Sequence, residues 1–194
     1  SKATVSFESD GTNATRPIIN FGSAGADIFY AVYKNADTNW TLSYSGTGGM
    51  KNFPYISARA EQNPANIFCP TYYYAKLENR TETNIKNIEV ADGIKTIGNC
   101  VFYKCTKVTN IELPDGITLI GQNAFWGCSA LKRLVIPEGV TKIDKNAFNG
   151  CKDLISITIP ESVNEIGIDI FVKCNTSNIT AITDNPIVIE DLNK

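Results

Sequence analysis

Cys105, Cys128, Cys151 and Cys174 stand 23 residues apart in a chain of 194 residues. A fixed interval of roughly 20–50 residues marks an array of stacked, like units. Every other apolar column keeps the register: Phe102, Phe125, Phe148 and Phe171; Ile97, Ile120, Ile143 and Ile166; Ile88, Ile111, Leu134 and Ile157; Ile94, Ile117, Val140 and Val163. Val90, Leu113, Ile136 and Ile159 form another, followed by Pro114, Pro137 and Pro160. Four full units therefore run from Ile88 to Ile179. A unit this short cannot bury its apolar edges alone, so each must pack on the next.

The period continues beyond both ends in weakened form. Ile85 occupies the column of Val108, Leu131 and Leu154, and Ile182 and Ile189 extend the columns of Ile159 and Ile166. Ser177, Thr180 and Pro186 stand where the pattern wants aliphatic residues, as in a polar cap that ends a stack.

Each unit reads as one coil. In LKRLVIP, Leu134 and Ile136 alternate with Arg133 and Val135, which predicts a short strand with one face inward, stopped by proline. Val140 and Ile143 in EGVTKID predict a second extended stretch. Gly98, Gly121 and Gly167, with Asp144 in the same column, predict a turn of positive φ. KNAFNGC places Ala147, Phe148 and Cys151 at helical or 3-10 spacing, with Asn146 and its equivalents Asn123 and Asp169 able to bond nearby backbone.

Composition shifts near residue 84. Residues 1–84 hold five isoleucines against nineteen afterwards, but seven of the eight tyrosines. Runs such as IFYAVY and WTLSYS, separated by Gly, Asn, Asp and Pro, predict short strands. The fold class expected is mainly β: a small sandwich-like module over residues 1–80, joined through the polar ENRTETN stretch to a solenoid of 23-residue coils over 81–194.

The segments IELPDGITLIGQNAFWGCSALKR, LVIPEGVTKIDKNAFNGCKDLIS and ITIPESVNEIGIDIFVKCNTSNI resemble the leucine-rich repeats of the bacterial surface-antigen, or BspA-like, type. The first unit departs from the pattern, with Ala91 in place of the proline and Cys100 and Val101 in place of asparagine and alanine. The resemblance implies a secreted or cell-surface bacterial protein that binds a host or surface protein or a glycan. A lipid anchor attached through a removed N-terminal signal would be one route to the surface. NFGSAGADIFYAVYKNADTNWTLSYSG resembles the opening of immunoglobulin-like or BACON-type β domains.

Composition narrows the chemistry. The 18 basic and 20 acidic residues leave a net charge of −2, which gives no electrostatic case for nucleic acid. The absence of histidine excludes Ser–His and Cys–His nucleophile pairs and imidazole metal ligands. With no CxxC pair and no calcium-loop spacing, neither metal nor cofactor is expected, and the chain reads as a non-enzyme. No targeting segment or apolar run of membrane-spanning length is visible in the sequence.

The Cys105, Cys128, Cys151 and Cys174 column, with its phenylalanine counterpart Phe102, Phe125, Phe148 and Phe171, is expected as a buried structural ladder. Cys69 and Cys100 fall outside it and are open to two readings, a bridge between the two parts or two thiols. Binding is expected on the outward strand positions of a concave face: Glu89, Asn110, Glu112, Lys132, Arg133, Ser156 and Thr158. Trp126 is the alternative contact, either an exposed sugar- or protein-stacking ring or a ring half-buried against the next coil. A purely structural spacer and an accessory carbohydrate-binding module are the competing functions.

Overall fold

The computed structural model describes residues 18–35, 39–53 and 85–182. The ENRTETN junction, Cys69, the Tyr72–Tyr74 run and the weakened repeat after Ile182 lie outside the described residues.

The chain begins as an antiparallel meander of β1 (Ile18–Ser23), β2 (Asp27–Lys34) and β3 (Trp40–Gly49). The β1–β2 turn is closed by the Ala24 N–H on the Ile28 carbonyl at 2.8 Å. Tyr30 of β2 lies opposite Tyr44 of β3. Alternation has its usual consequence on β2, where Ile28 is fully buried and Phe29 is exposed.

Strand β3 ties the meander to everything that follows. Its first half, from Trp40 to Tyr44, pairs in parallel with β4 (Ile85–Val90). Its end, Gly48 and Gly49, pairs with β5 (Ile94–Ile97). The change of partner falls at a glycine-rich stretch in which Gly46 has φ 108° and Gly48 φ 97°, a backbone open to few other residues. A Cβ on Gly46 would also collide with the carbonyl of Asp27.

From there two families of short parallel strands stack side by side. One continues β5 through β6 (Leu119–Ile120), β8 (Lys142–Ile143) and β10 (Glu165–Ile166), with Thr96 beside Leu119, Leu119 beside Lys142 and Lys142 beside Glu165. The other joins β7 (Arg133–Val135), β9 (Ser156–Thr158) and β11 (Thr180–Ile182). Among the described residues the one helical element is a 3-10 turn at Thr176–Asn178.

The inward columns meet in one core from Ala24 to Phe171. Its axis is a ladder of rings. Tyr44 meets Phe102 edge-on at 5.9 Å, and then Phe102–Phe125, Phe125–Phe148 and Phe148–Phe171 follow at 5.1, 5.6 and 5.7 Å with small tilts. Parallel backbones repeat each side chain at strand spacing, which sets like rings at stacking distance.

Candidate functional site

Each repeat turns its third edge between the two strand families, over residues 99–105, 122–128, 145–151 and 168–174. The turns are built from i to i−3 bonds, such as Trp126 N–H to the Asn123 carbonyl (3.1 Å) and Cys151 N–H to that of Phe148 (3.1 Å). This is the 3-10-like spacing expected, but left-handed residues interrupt it twice per repeat. One left-handed column is Cys100, Asn123, Asn146 and Asp169, with φ from 55° to 61°. The other is Lys104, Gly127, Gly150 and Lys173.

That corrects the expected role of Gly98, Gly121 and Gly167, none of which has positive φ. The column needs glycine for close approach. A Cβ on Gly98 would strike the Lys51 carbonyl, one on Gly121 would come within 2.6 Å of Asn99 Oδ1, and one on Gly167 would fall on the backbone of Lys145. Asp144, in the same column, turns its carboxylate to the next N–H, that of Lys145, at 2.7 Å. Asn146 is corrected as well: its Oδ1 accepts from the Asn149 side chain at 3.2 Å, not from backbone.

Cys105, Cys128 and Cys151 are buried, and Cys174, at the far end, is half-buried. Each of the last three reaches back one repeat. Cys128 Sγ donates to the Phe102 carbonyl (3.1 Å), Cys151 to that of Phe125 (3.3 Å) and Cys174 to that of Phe148 (3.1 Å). The same carbonyls take the Cys105, Cys128 and Cys151 N–H groups of their own repeats, so both lone pairs are used. A small apolar side chain with a weak donor fits this place. Burial pushes the Cys151 thiol well above its ordinary value, helped by the neighbouring Cys128 and Cys174, and pushes Cys174 up to about 11. These are protonated thiols with little nucleophilic character. Cys100 is buried, its Sγ 3.9 Å from the Gln122 carbonyl.

The expected binding residues lie on the β4, β7 and β9 side. Glu89, Asn110, Glu112, Lys132 and Arg133 are exposed, and Ser156 and Thr158 half-buried. Register makes them one ribbon: Asn110 bridges Arg133, Arg133 lies beside Ser156 and Val135 beside Thr158. Lys132 is pinned through its N–H to the Thr109 carbonyl at 3.0 Å. Apolar side chains interrupt the ribbon at Val135, 64% exposed, and Ile155, 43% exposed.

The ribbon opens between its first two repeats. Among the described residues no backbone hydrogen bond joins β4 to residues 109–113. A depression of about 390 Å³ lies along this seam, lined by Lys86, Asn87, Glu89, Thr109, Asn110 and Glu112. Glu89 and Glu112 occupy one column of adjacent repeats, and like charges across neighbouring strands oppose close pairing. Three of the expected residues are thus gathered at one place, while Lys132, Arg133, Ser156 and Thr158 lie farther along the ribbon.

Trp126 lies on the turn edge, away from the ribbon. It is half-buried and stacks on Tyr103 with centroids 4.8 Å apart and planes 11° off parallel. The Lys104 ammonium sits over both rings, at 5.5 Å and 5.9 Å. A second depression, of about 270 Å³, surrounds Trp126 and is lined by Gln122, Asn123, Asn146, Asn149 and Lys173. Sequence reasoning singled out Trp126 alone. The signal it passed over was the asparagines at 123 and 146, in one column, and at 149, in the column of the ring itself.

A leucine-rich repeat protein from Eubacterium ventriosum superposes with a TM-score of 0.59 at 24% identity, over 86% of this chain and 40% of that one. One from Bacteroides ovatus is 32% identical over 47% of this chain and 24% of its own, with a TM-score of 0.45. The T. pallidum leucine rich repeat protein is 25% identical over 74% of this chain and 64% of its own, with a TM-score of 0.47. This chain therefore spans less than two thirds of each. No curated protein matches it in sequence. The BspA type leucine rich repeat region matches residues 79–191 in six copies, and the chain belongs to that family.

Proposed function

We propose that the chain is a non-catalytic binding module of a bacterial surface or secreted protein, in which a small N-terminal β module precedes a solenoid of 23-residue coils. Its strand ribbon recognises a protein partner. The observation that carries this reading is the open seam between β4 and residues 109–113, with charged Lys86, Glu89 and Glu112 lining it and exposed Lys132, Arg133, Val135 and Ile155 farther along. Both signs of charge with interspersed apolar contacts suit a protein surface better than a sugar. Ribbon side chains that differ from repeat to repeat are released from the packing that fixes the inward columns.

The test is binding of the purified chain to a panel of immobilised host matrix and bacterial surface proteins, repeated with Glu112→Ala/Arg133→Ala. The double variant is expected to bind its partner about tenfold more weakly, as for a contacted charged pair, with unchanged melting. A panel without a binder, or a partner held equally well by the double variant, contradicts the reading.

A further inference from the structure

We propose that the depression beside Trp126 is a second, independent site, and that it takes a pyranose sugar at the end of a glycan. The lining chemistry selects the ligand. Four carboxamides, from Gln122, Asn123, Asn146 and Asn149, line the depression with one indole and the Lys173 ammonium, and no carboxylate lines it. Carboxamides both donate and accept, which matches the neighbouring hydroxyls of a sugar ring. The indole supplies the flat apolar surface that the ring's C–H face needs. Tyr103 already stacks on Trp126 and the Lys104 ammonium lies over the ring at 5.9 Å, so the ligand must use the part of the indole that lines the depression.

Asn149 is the second observation that points to a ligand. The residue is buried, with 7% of its surface exposed. Its Nδ2 is committed to Asn146 Oδ1 at 3.2 Å, while its own Oδ1 has no hydrogen-bond partner. A shielded carbonyl without a donor is unfavourable, and a small rotation of the carboxamide toward an incoming hydroxyl would satisfy it. Asparagine stands here in the column that holds Tyr103, Trp126 and Val172, so the aromatic stack stops beside the depression.

The lining is also held in place beforehand. Asn123 and Asn146 both have left-handed backbones, with φ 55° and 57°. Their N–H groups bond the carbonyls of Lys145 and Ile168 in the next repeat at 3.2 and 3.1 Å, and the Asn149 carbonyl takes the Gly127 N–H at 2.8 Å. Little ordering is then left for binding to impose. At about 270 Å³ the site is smaller than the roughly 300–1,000 Å³ pockets that enclose drug-sized ligands. One sugar ring fits that scale, and affinity on the order of millimolar follows for a single site.

The experiment is a glycan array with neutral, sialylated and uronate-bearing termini, followed by titration of the full chain with the methyl glycoside of the best-bound terminus. Binding would be read by ligand-observed NMR. Trp126→Ala and Asn146→Gly are the variants, the second keeping the left-handed backbone while deleting one carboxamide. Both are expected to lose binding at least tenfold, with Asn146→Gly still folded although loss of the acceptor for Asn149 Nδ2 lowers its melting temperature. Glu112→Ala/Arg133→Ala should bind the sugar normally, so failure here and failure of the strand ribbon are separable. An array without binders among these termini, or affinity unmoved by Asn146→Gly, would overturn the assignment.

Discussion

The turn edge and the strand ribbon of this protein are cut from the same repeats and obey different rules. On the turn edge nearly every position is tied to its equivalent one repeat away, by stacked phenylalanines, by thiols on the preceding phenylalanine carbonyls and by glycines pressed against backbone. On the ribbon the equivalent positions hold Lys132 and Ile155, or Glu112, Val135 and Thr158, and differ freely. Repetition therefore marks where the fold is held, and its lapse marks where surface is available for recognition.

The largest effect expected from breaking the turn edge is at its centre. Phe125 is fully buried between Phe102 and Phe148, so Phe125→Ala should cost about 3–5 kcal/mol. That is a large share of the roughly 5–15 kcal/mol that holds a typical domain together. Chemical denaturation should show it as a lower midpoint, or as a chain unfolded in buffer. A ribbon truncation, Ile155→Ala, should move the midpoint far less, and equal losses would erase the contrast.

The glycine column gives the next effect. Gly167→Ala adds a methyl group onto the Lys145 backbone and should cost about 1–3 kcal/mol through a forced backbone shift. A melting temperature unchanged by this substitution would show that the contact is slack.

Much of this edge was legible in the sequence, and the remainder was hidden for definite reasons. The 23-residue columns identified which residues face inward, because burial repeats with the chain. Gly98, Gly121 and Gly167 could be seen as special, but not why. Glycine serves both a left-handed backbone and a close approach, and only coordinates separate the two. The left-handed positions were signalled by Asn123, Asn146 and Asp169, residue types that tolerate that region, and disguised by Cys100, Lys104 and Lys173, which do not advertise it. The open seam could not be read at all. It depends on whether adjacent backbones pair, and TNIELP looks as strand-like as LKRLVIP. The amide cluster around Trp126 was signalled only by its asparagines, and not as a cluster, since Asn146 and Asn149 line that depression from the next repeat.

A smaller effect with the opposite sign comes from the left-handed lysine at the last turn. Lys173 has φ 61° where earlier repeats have Gly127 and Gly150. A side chain there costs about 1–2 kcal/mol, partly offset by the entropy glycine loses on folding. Lys173→Gly should thus stabilise by about 0.5–1 kcal/mol in denaturant titration, and a loss of stability would mean that the lysine makes a compensating contact.

Alkaline pH sharpens the comparison with a further small shift. Thiols of the unfolded chain ionise near 9.0, whereas folded Cys174 keeps its proton up to about 11 and Cys151 is raised as well. Above pH 9 the unfolded state binds fewer protons, so stability should fall as pH rises from about 9 toward 11, with no contribution from these groups below that window. Replacing both cysteines with alanine should flatten that part of the profile.

The central claim is that the repeats stack on a sealed ladder of rings and protonated thiols, leaving the ribbon outside. Thiol labelling resolved by mass spectrometry at single cysteines tests it most directly. In native protein without reductant, Cys105, Cys128 and Cys151 should stay unlabelled and half-buried Cys174 should react slowly. On denaturation, still without reductant, all four should label. Rapid labelling of Cys128 and Cys151 in the native state, or labelling of the denatured chain only after reduction, would contradict the account.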